Sequence, residues 1–250
     1  MSSYGLYLAA SGAAAHTKQL EVLSNNMSNV NTVGFKPQFG ILMAQPSEAI
    51  LQGEDYLGSE SINDTSGGLF LHETVTDFSP KGIRMTGNPT DLAILGPGFF
   101  EVQTEDGQTA LTRAGNFMIN ANNQLVTQQN YPVLSEDKTP ITIDPAGGPI
   151  HVATDGFIRQ GNIELGKLQI VNTDSPADLR REGENLFIPL APTLPVENAT
   201  IQSGKLELSG INPTEQMLGI IETTRAVEAN VKMIQNQDQL MGDLISRVLR

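Results

Sequence analysis

The chain has no cysteine and no tryptophan. Without cysteine there can be no disulfide, no thiol nucleophile and no cysteine-ligated metal. The aromatic content is nine Phe and four Tyr, too few to favour a deep aromatic pocket. Histidine is as scarce. His16, His72 and His151 stand alone, without a second His at metal-ligand spacing, so they read as structural or solvated side chains. Positive charge is also short. The 15 Lys and Arg face 28 Asp and Glu, and a net charge of −13 excludes a broad basic surface for nucleic acid or anionic lipid. No apolar run reaches the ~18 residues of a membrane span, so direct membrane insertion is not expected. Leu6–Ala15 is apolar enough to imitate a signal-peptide core. No Lys or Arg precedes Lys18, however, so a cleaved signal is not expected.

Chemical motifs are missing as well. There is no Walker loop and no Gly-x-Ser-x-Gly elbow. Gly96-Pro97-Gly98 leads into Phe99-Phe100 and β-prone sequence, not into the helix that a dinucleotide fingerprint requires. Asn120-Ala121-Asn122-Asn123 resembles a calcium loop only until its twelfth position, which is Tyr131. The doublets Glu54-Asp55, Glu105-Asp106 and Glu136-Asp137 sit in polar surroundings and read as solvated turns. Catalytic, cofactor-binding and metal-binding residues are therefore all expected to be absent.

What is present is patterned by position. Leu6, Ala9, Ala13, His16, Leu20, Leu23, Met27 and Val30 alternate by three and four, which is a heptad seam. Gly34 follows, where a helix-ending glycine is expected. Ile220, Thr224, Val227, Val231, Ile234, Asp238, Met241, Ile245 and Val248 repeat the pattern at the other end. Asn212, Pro213 and Glu215 signal its start. Helices of this kind do not bury a seam alone in water and need a helical partner. Between them the helical period vanishes, and 13 of the 14 prolines fall within residues 37–195. Short β-prone runs take over: 92–95, 99–103, 109–112, 117–119, 124–127, 150–153, 167–172 and 205–208. Turn pairs such as Asp106-Gly107 and Asp155-Gly156 separate them. The two ends are nearly neutral, so the acidic charge lies in the middle.

These patterns predict a mixed α and β fold. Terminal helices at 1–36 and 209–250 pair as a coiled-coil or helical assembly domain. An extended connector spans 37–80, and an all-β domain of short strands spans 81–208. Four asparagines crowd the end of the first helix, Asn25, Asn26, Asn29 and Asn31, although Asn is a mediocre helix former. They read either as caps of a fraying helix or as a strip of amides offered to neighbouring subunits.

Ser24-Asn25-Asn26-Met27-Ser28-Asn29-Val30-Asn31-Thr32-Val33-Gly34-Phe35-Lys36 closely resembles the N-terminal signature of flagellar rod and hook proteins. Three further blocks agree in order: Thr86 to Phe100, Thr112-Arg113-Ala114-Gly115-Asn116-Phe117, and Leu206 to Asn212 followed by Glu222, Arg225-Ala226, Glu228 and Asn230. Met27 stands where Leu is common and Gly210 where Asn is common. The resemblance implies a structural subunit of the bacterial flagellar basal-body rod, part of a torque-transmitting shaft. It implies export through the flagellar type III apparatus without a cleaved signal, and location in the rod across the periplasmic space. It also implies a helical lattice of self-copies and other rod- or hook-family proteins, with terminal helices lining the channel. Length and the stretch Lys167–Phe187 look more like a proximal-rod than a distal-rod protein. The alternative is a transient, hook-cap-like assembly scaffold. The expected assembly interface is Leu6, Ala9, Ala13, Leu20, Leu23, Asn25, Asn26, Met27, Asn29, Val30, Asn31, Ile220, Val227, Val231, Ile234, Met241 and Ile245.

Overall fold

In the computed structural model, residues 3–47, 50, 52–54, 56, 58, 66–196 and 199–248 are described. Most of the expected connector between 48 and 65 lies outside them, as does Asp55 of the first acidic doublet. The chain divides into two compact units. One gathers residues 1–28, 38–76 and 212–250. The other gathers residues 29–37 and 77–211.

The first unit is built on helices α1 (Ser3–Ser28) and α2 (Pro213–Val248) with a hairpin of β1 (Gln38–Ala44) and β2 (Leu69–Thr76). Asn212 caps α2 as expected, its side chain accepting the Thr214 N–H at 3.1 Å. α1 stops at Ser28, short of the predicted end. A turn takes over, with the Thr32 N–H bonded to the Asn29 carbonyl at 3.2 Å, because the Asn- and Ser-rich run offers the backbone side-chain partners in place of a helical ladder. The two helices run antiparallel. Gly5 faces Gln237, Gly12 faces Asn230, Leu23 faces Gly219, and Asn26 bonds Gln216. One heptad forward on α1 is one heptad back on α2. The hairpin pairs antiparallel from Gln38↔Thr76 to Ala44↔Leu69, with a register shift at Ile41/Leu42. It lies on α1, where the Ser11 hydroxyl accepts the Leu69 N–H at 3.4 Å. Its two strands fall inside the segment expected from sequence to be an extended connector.

The second unit is all β. Its largest sheet has six strands in the order β13-β14-β6-β5-β12-β15, all antiparallel. These are Leu179–Glu182, Leu186–Pro189, Thr109–Thr112, Phe99–Gln103, Ile170–Asn172 and Leu194–Pro195. β9 (Ile150–Val152), β10 (Phe157–Gln160) and β11 (Ile163–Lys167) form a second sheet. Two-stranded ladders join β3 (Ile83–Met85) to β17 (Lys205–Glu207), β4 (Leu92–Leu95) to β16 (Thr200–Ser203), and β7 (Met118–Ile119) to β8 (Leu125–Val126). Alternation along β5 buries both faces of the large sheet. Phe100 and Val102 enter the main core with Leu92, Ile94, Phe117, Ile158 and Ile201. Phe99 enters a smaller core with Leu111, Val171 and Phe187, edged by Phe78. The rings of Phe78 and Phe187 meet edge to face at 5.1 Å.

Residues 29–36, expected to end the first helix, and Pro37, expected to open the connector, pack into the β unit. Phe35 and Lys36 are both fully buried there.

Candidate assembly interface

The inner face of the helix pair is made of small and amide side chains. On α2 it comprises Gln216, Gly219, Thr223, Ala226, Asn230 and Gln237, interleaved with Ile220, Val227 and Ile234. The predicted α2 seam shares Ile220, Val227 and Ile234 with it but diverges at Thr224, Val231 and Asp238. The stripe is rotated by one residue because Gly5 and Gly12 let the backbones approach at positions where apolarity alone is silent. At Gly12 an added Cβ would lie 3.1 Å from Asn230 Oδ1. On α1, Ala9 is buried, while Ala13, Leu20, Leu23 and Met27 are half-buried and Leu6 is exposed.

Apolar side chains of α2 are left uncovered beside the stripe and along its last turns. Val231, Met241 and Ile245 are 39%, 53% and 56% exposed, and Met217, Leu218, Ile221, Leu240 and Leu244 are open beside them. Isolated apolar residues on a surface mean little, but a row along one helix marks a surface awaiting a partner. On α1, Tyr4 and Tyr7 are open likewise.

The asparagine strip is split between the units. Asn26 is fully buried in the first unit and binds the Gln38 backbone twice, donating Nδ2 to its carbonyl at 2.7 Å and accepting its N–H at 3.0 Å. The amide thus holds the first hairpin strand against the helix. Asn29 is buried in the second unit. Its side-chain oxygen accepts the Thr32 hydroxyl at 3.0 Å, and its carbonyl accepts the Ser209 hydroxyl at 2.9 Å. Val30 is half-buried there. Asn25 and Asn31 are exposed, and Asn31 lines a polar cleft of about 240 Å³ with Asn116, Gln128 and Asn185.

Sequence reasoning missed a buried ionic cluster in the second unit. Lys36 Nζ donates to Glu207 Oε1 at 2.7 Å and to the Ser79 carbonyl at 2.9 Å. Arg113 lies 3.5 Å from Glu207 Oε2 and donates to the Ile94 and Gly96 carbonyls. Burial pushes the Lys36 ammonium below the usual lysine range, and the Glu207 hydrogen bond opposes that push. Burial lowers Arg113 too, again opposed by Glu207. Arg181 stacks over the Phe35 ring at 4.3 Å, and burial brings it down to about 10 against the pull of Glu184. An ion pair this deep contributes little net stability, but deleting one partner costs roughly 3–5 kcal/mol, because the other charge is left buried. The available signal was positional: Lys36, Arg113 and Glu207 each sit in a different motif block, and the Arg113 acceptors sit in a fourth.

Among the described residues, no group of three or more His, Asp or Glu is placed to hold a metal, and no helix is long and apolar enough to cross a membrane. The uncovered apolar side chains along α2 put this molecule among structural proteins, in which surfaces carry the function. Comparison with known proteins supplies the family. Residues 6–36 match the flagella basal body rod protein pattern, residues 93–160 the D1 domain of flagellar hook protein FlgE/F/G, and residues 202–247 the C-terminal region of the flagellar basal body rod FlgEFG proteins. The flagellar basal-body rod protein FlgF of Caulobacter vibrioides is 33% identical over 247 residues, covering 97% of each chain. FlgG of Buchnera aphidicola subsp. Schizaphis graminum is 33% identical over 261 residues, covering 96% of this chain and 97% of its own. FlgG of Bacillus subtilis is 30% identical over 258 residues, covering 96% and 97%. The chain belongs to the flagellar basal-body rod protein family, a family of structural subunits of the basal body and not of enzymes. These relatives give the hook-cap-like alternative no support.

Proposed function

We propose that this rod subunit polymerises through its terminal helices, with copies of itself and with other rod- and hook-family proteins, to form part of the torque-transmitting shaft. The uncovered apolar row on α2 carries this reading. The helix pair fills its inner face with Gly, Thr, Asn and Gln, and among the described residues nothing covers Val231, Met241 and Ile245, which stay 39–56% exposed. Coiled-coil packing in the assembly, delivery by the flagellar type III apparatus without a cleaved signal, and the absence of membrane insertion belong to the same reading. So does a proximal position in the rod. The alignment to FlgF runs to 247 positions, against 261 and 258 for FlgG of Buchnera and Bacillus, so it needs fewer gaps.

The test is Val231→Asp. In the isolated subunit a carboxylate at this exposed site changes stability little. In a lattice contact it is desolvated, at a cost of several kcal/mol at every subunit addition. The variant should fold yet be absent from purified basal bodies, while Lys232→Gln, which leaves the apolar row intact, should incorporate. Normal incorporation of Val231→Asp would refute the assignment of this face.

A further inference from the structure

Residues 29–37 follow α1 in sequence but are built into the β unit, where four separated segments hold them. The Gly34 N–H donates to the Glu207 carbonyl at 3.0 Å, and the Phe35 carbonyl accepts the Gly210 N–H at 3.2 Å. The Lys36 carbonyl accepts from Arg181 at 3.0 Å, and the Pro37 carbonyl accepts the Asp77 N–H at 2.9 Å. Asn185 donates to the Val33 carbonyl at 3.4 Å. The backbone of Arg113 completes the cradle, so close that a Cβ on Gly34 would fall 2.4 Å from its carbonyl carbon. Two of these contacts, together with the bonds from Lys36 to Glu207 and from Ser209 to Asn29, join the segment to residues 207–210 near the other end of the chain. Glu207 itself depends on the segment. Its Oε1 accepts from Lys36 and from the Lys81 N–H, and its Oε2, 3.5 Å from Arg113, has no hydrogen-bond donor among the described residues.

We infer that residues 29–37 form a strap that seats on Glu207 and closes the β unit, and that strap and 205–210 lock or release together as one clasp. The buried partners explain the coupling. Lys36 and Glu207 stand 171 residues apart, and neither charge is tolerable in the interior without the other. The sheet of β5, β6, β12 and β14, by contrast, is completed by its own ladders and needs neither segment for its hydrogen bonds. The β unit is therefore fully closed only in a chain that supplies both ends. This inference is independent of how subunits polymerise.

Hydrogen exchange on full-length protein tests it, with Lys36→Met and Glu207→Gln as perturbations and the exposed Lys18→Met as control. Lys36→Met removes the charge-assisted hydrogen bond, and Glu207→Gln removes the carboxylate charge that balances the buried Lys36. Amides of 29–37 and of 205–210 should both exchange roughly tenfold faster or more, while 99–112 stay slow. The double variant should exchange no faster than the quicker single variant, because one opening event is being read. A second measurement needs no substitution: as urea rises below the main transition, wild-type 29–37 and 205–210 should open together and before 99–112. Acceleration of the strap alone would overturn the inference, as would additive single effects. Acceleration of 99–112 to the same degree would overturn it too, since the cluster would then belong to one indivisible core.

Discussion

Gly34→Ala is the sharpest probe of how the family signature is built. Gly34 has φ +66°, and an added Cβ would lie 2.4 Å from the Arg113 carbonyl carbon, 2.5 Å from its oxygen and 2.5 Å from the Ala114 nitrogen. All three are backbone atoms that no rotamer change can move aside. Gly107 is the matched control, with φ +76° and nothing within 4 Å of its added Cβ. Both substitutions meet the left-handed penalty of about 1 kcal/mol. Only Gly34→Ala adds overpacking against fixed backbone, about 1–3 kcal/mol, and it strains the hydrogen bond to Glu207. The expected losses are about 2–4 kcal/mol at Gly34 and about 1 kcal/mol at Gly107. With a urea m-value near ~2 kcal/mol/M, the Gly34 midpoint should fall about 1 M further than the control. Far-ultraviolet circular dichroism and near-ultraviolet signal from Tyr131, the single tyrosine of the β unit, can follow the transition. Equal midpoints for the two variants would show that chain direction alone requires Gly34 and would refute the close approach.

Asn26→Ala should destabilise the helix–hairpin unit by about 1–3 kcal/mol, because the Gln38 backbone loses both partners. Asn31→Ala, at an exposed site, should stay within about 0.5 kcal/mol; chemical denaturation separates the two. Gly219→Ala should stabilise α2 by about 0.5–1 kcal/mol, since its methyl would meet Leu23 at an ordinary 3.5 Å, and a higher melting temperature is the readout. Partial burial would raise the Asp77 pKa, but the hydrogen bonds of Lys81 and Ser79 outweigh it and hold the carboxyl at about 2, below its ordinary 3.8. Its folded-state pKa is depressed, so its contribution is present above about pH 4 and disappears as pH falls towards about 2; melting of Asp77→Asn across that window should show a flatter acid limb.

Periodicity was sufficient for the two helices, because a heptad alternation is a local pattern that only a helix satisfies over so many residues. Turn pairs and β-branched runs likewise placed strands such as β4, β5 and β6. The edge strand β13 carries mixed polarity and β15 is only Leu194-Pro195, and nothing in their own residues selects a partner until the sheet exists. The rotation of the α2 stripe was decided by Gly5, Gly12 and Gly219, whose lack of a side chain is invisible to an apolar count and becomes meaningful only when another backbone approaches. The asparagines were legible as unusual, but Asn26 and Asn29 spend hydrogen bonds inside the chain, a fact set by where Gln38 and Ser209 arrive. Composition and motif order determined the kind of protein this is: acidic, without cysteine, helical at its ends and assembled from rod-family blocks. Only the tertiary structure brought Lys36, Arg113 and Glu207 to one buried point, because attraction between charges depends on distance through space and on the exclusion of water, and sequence separation encodes neither.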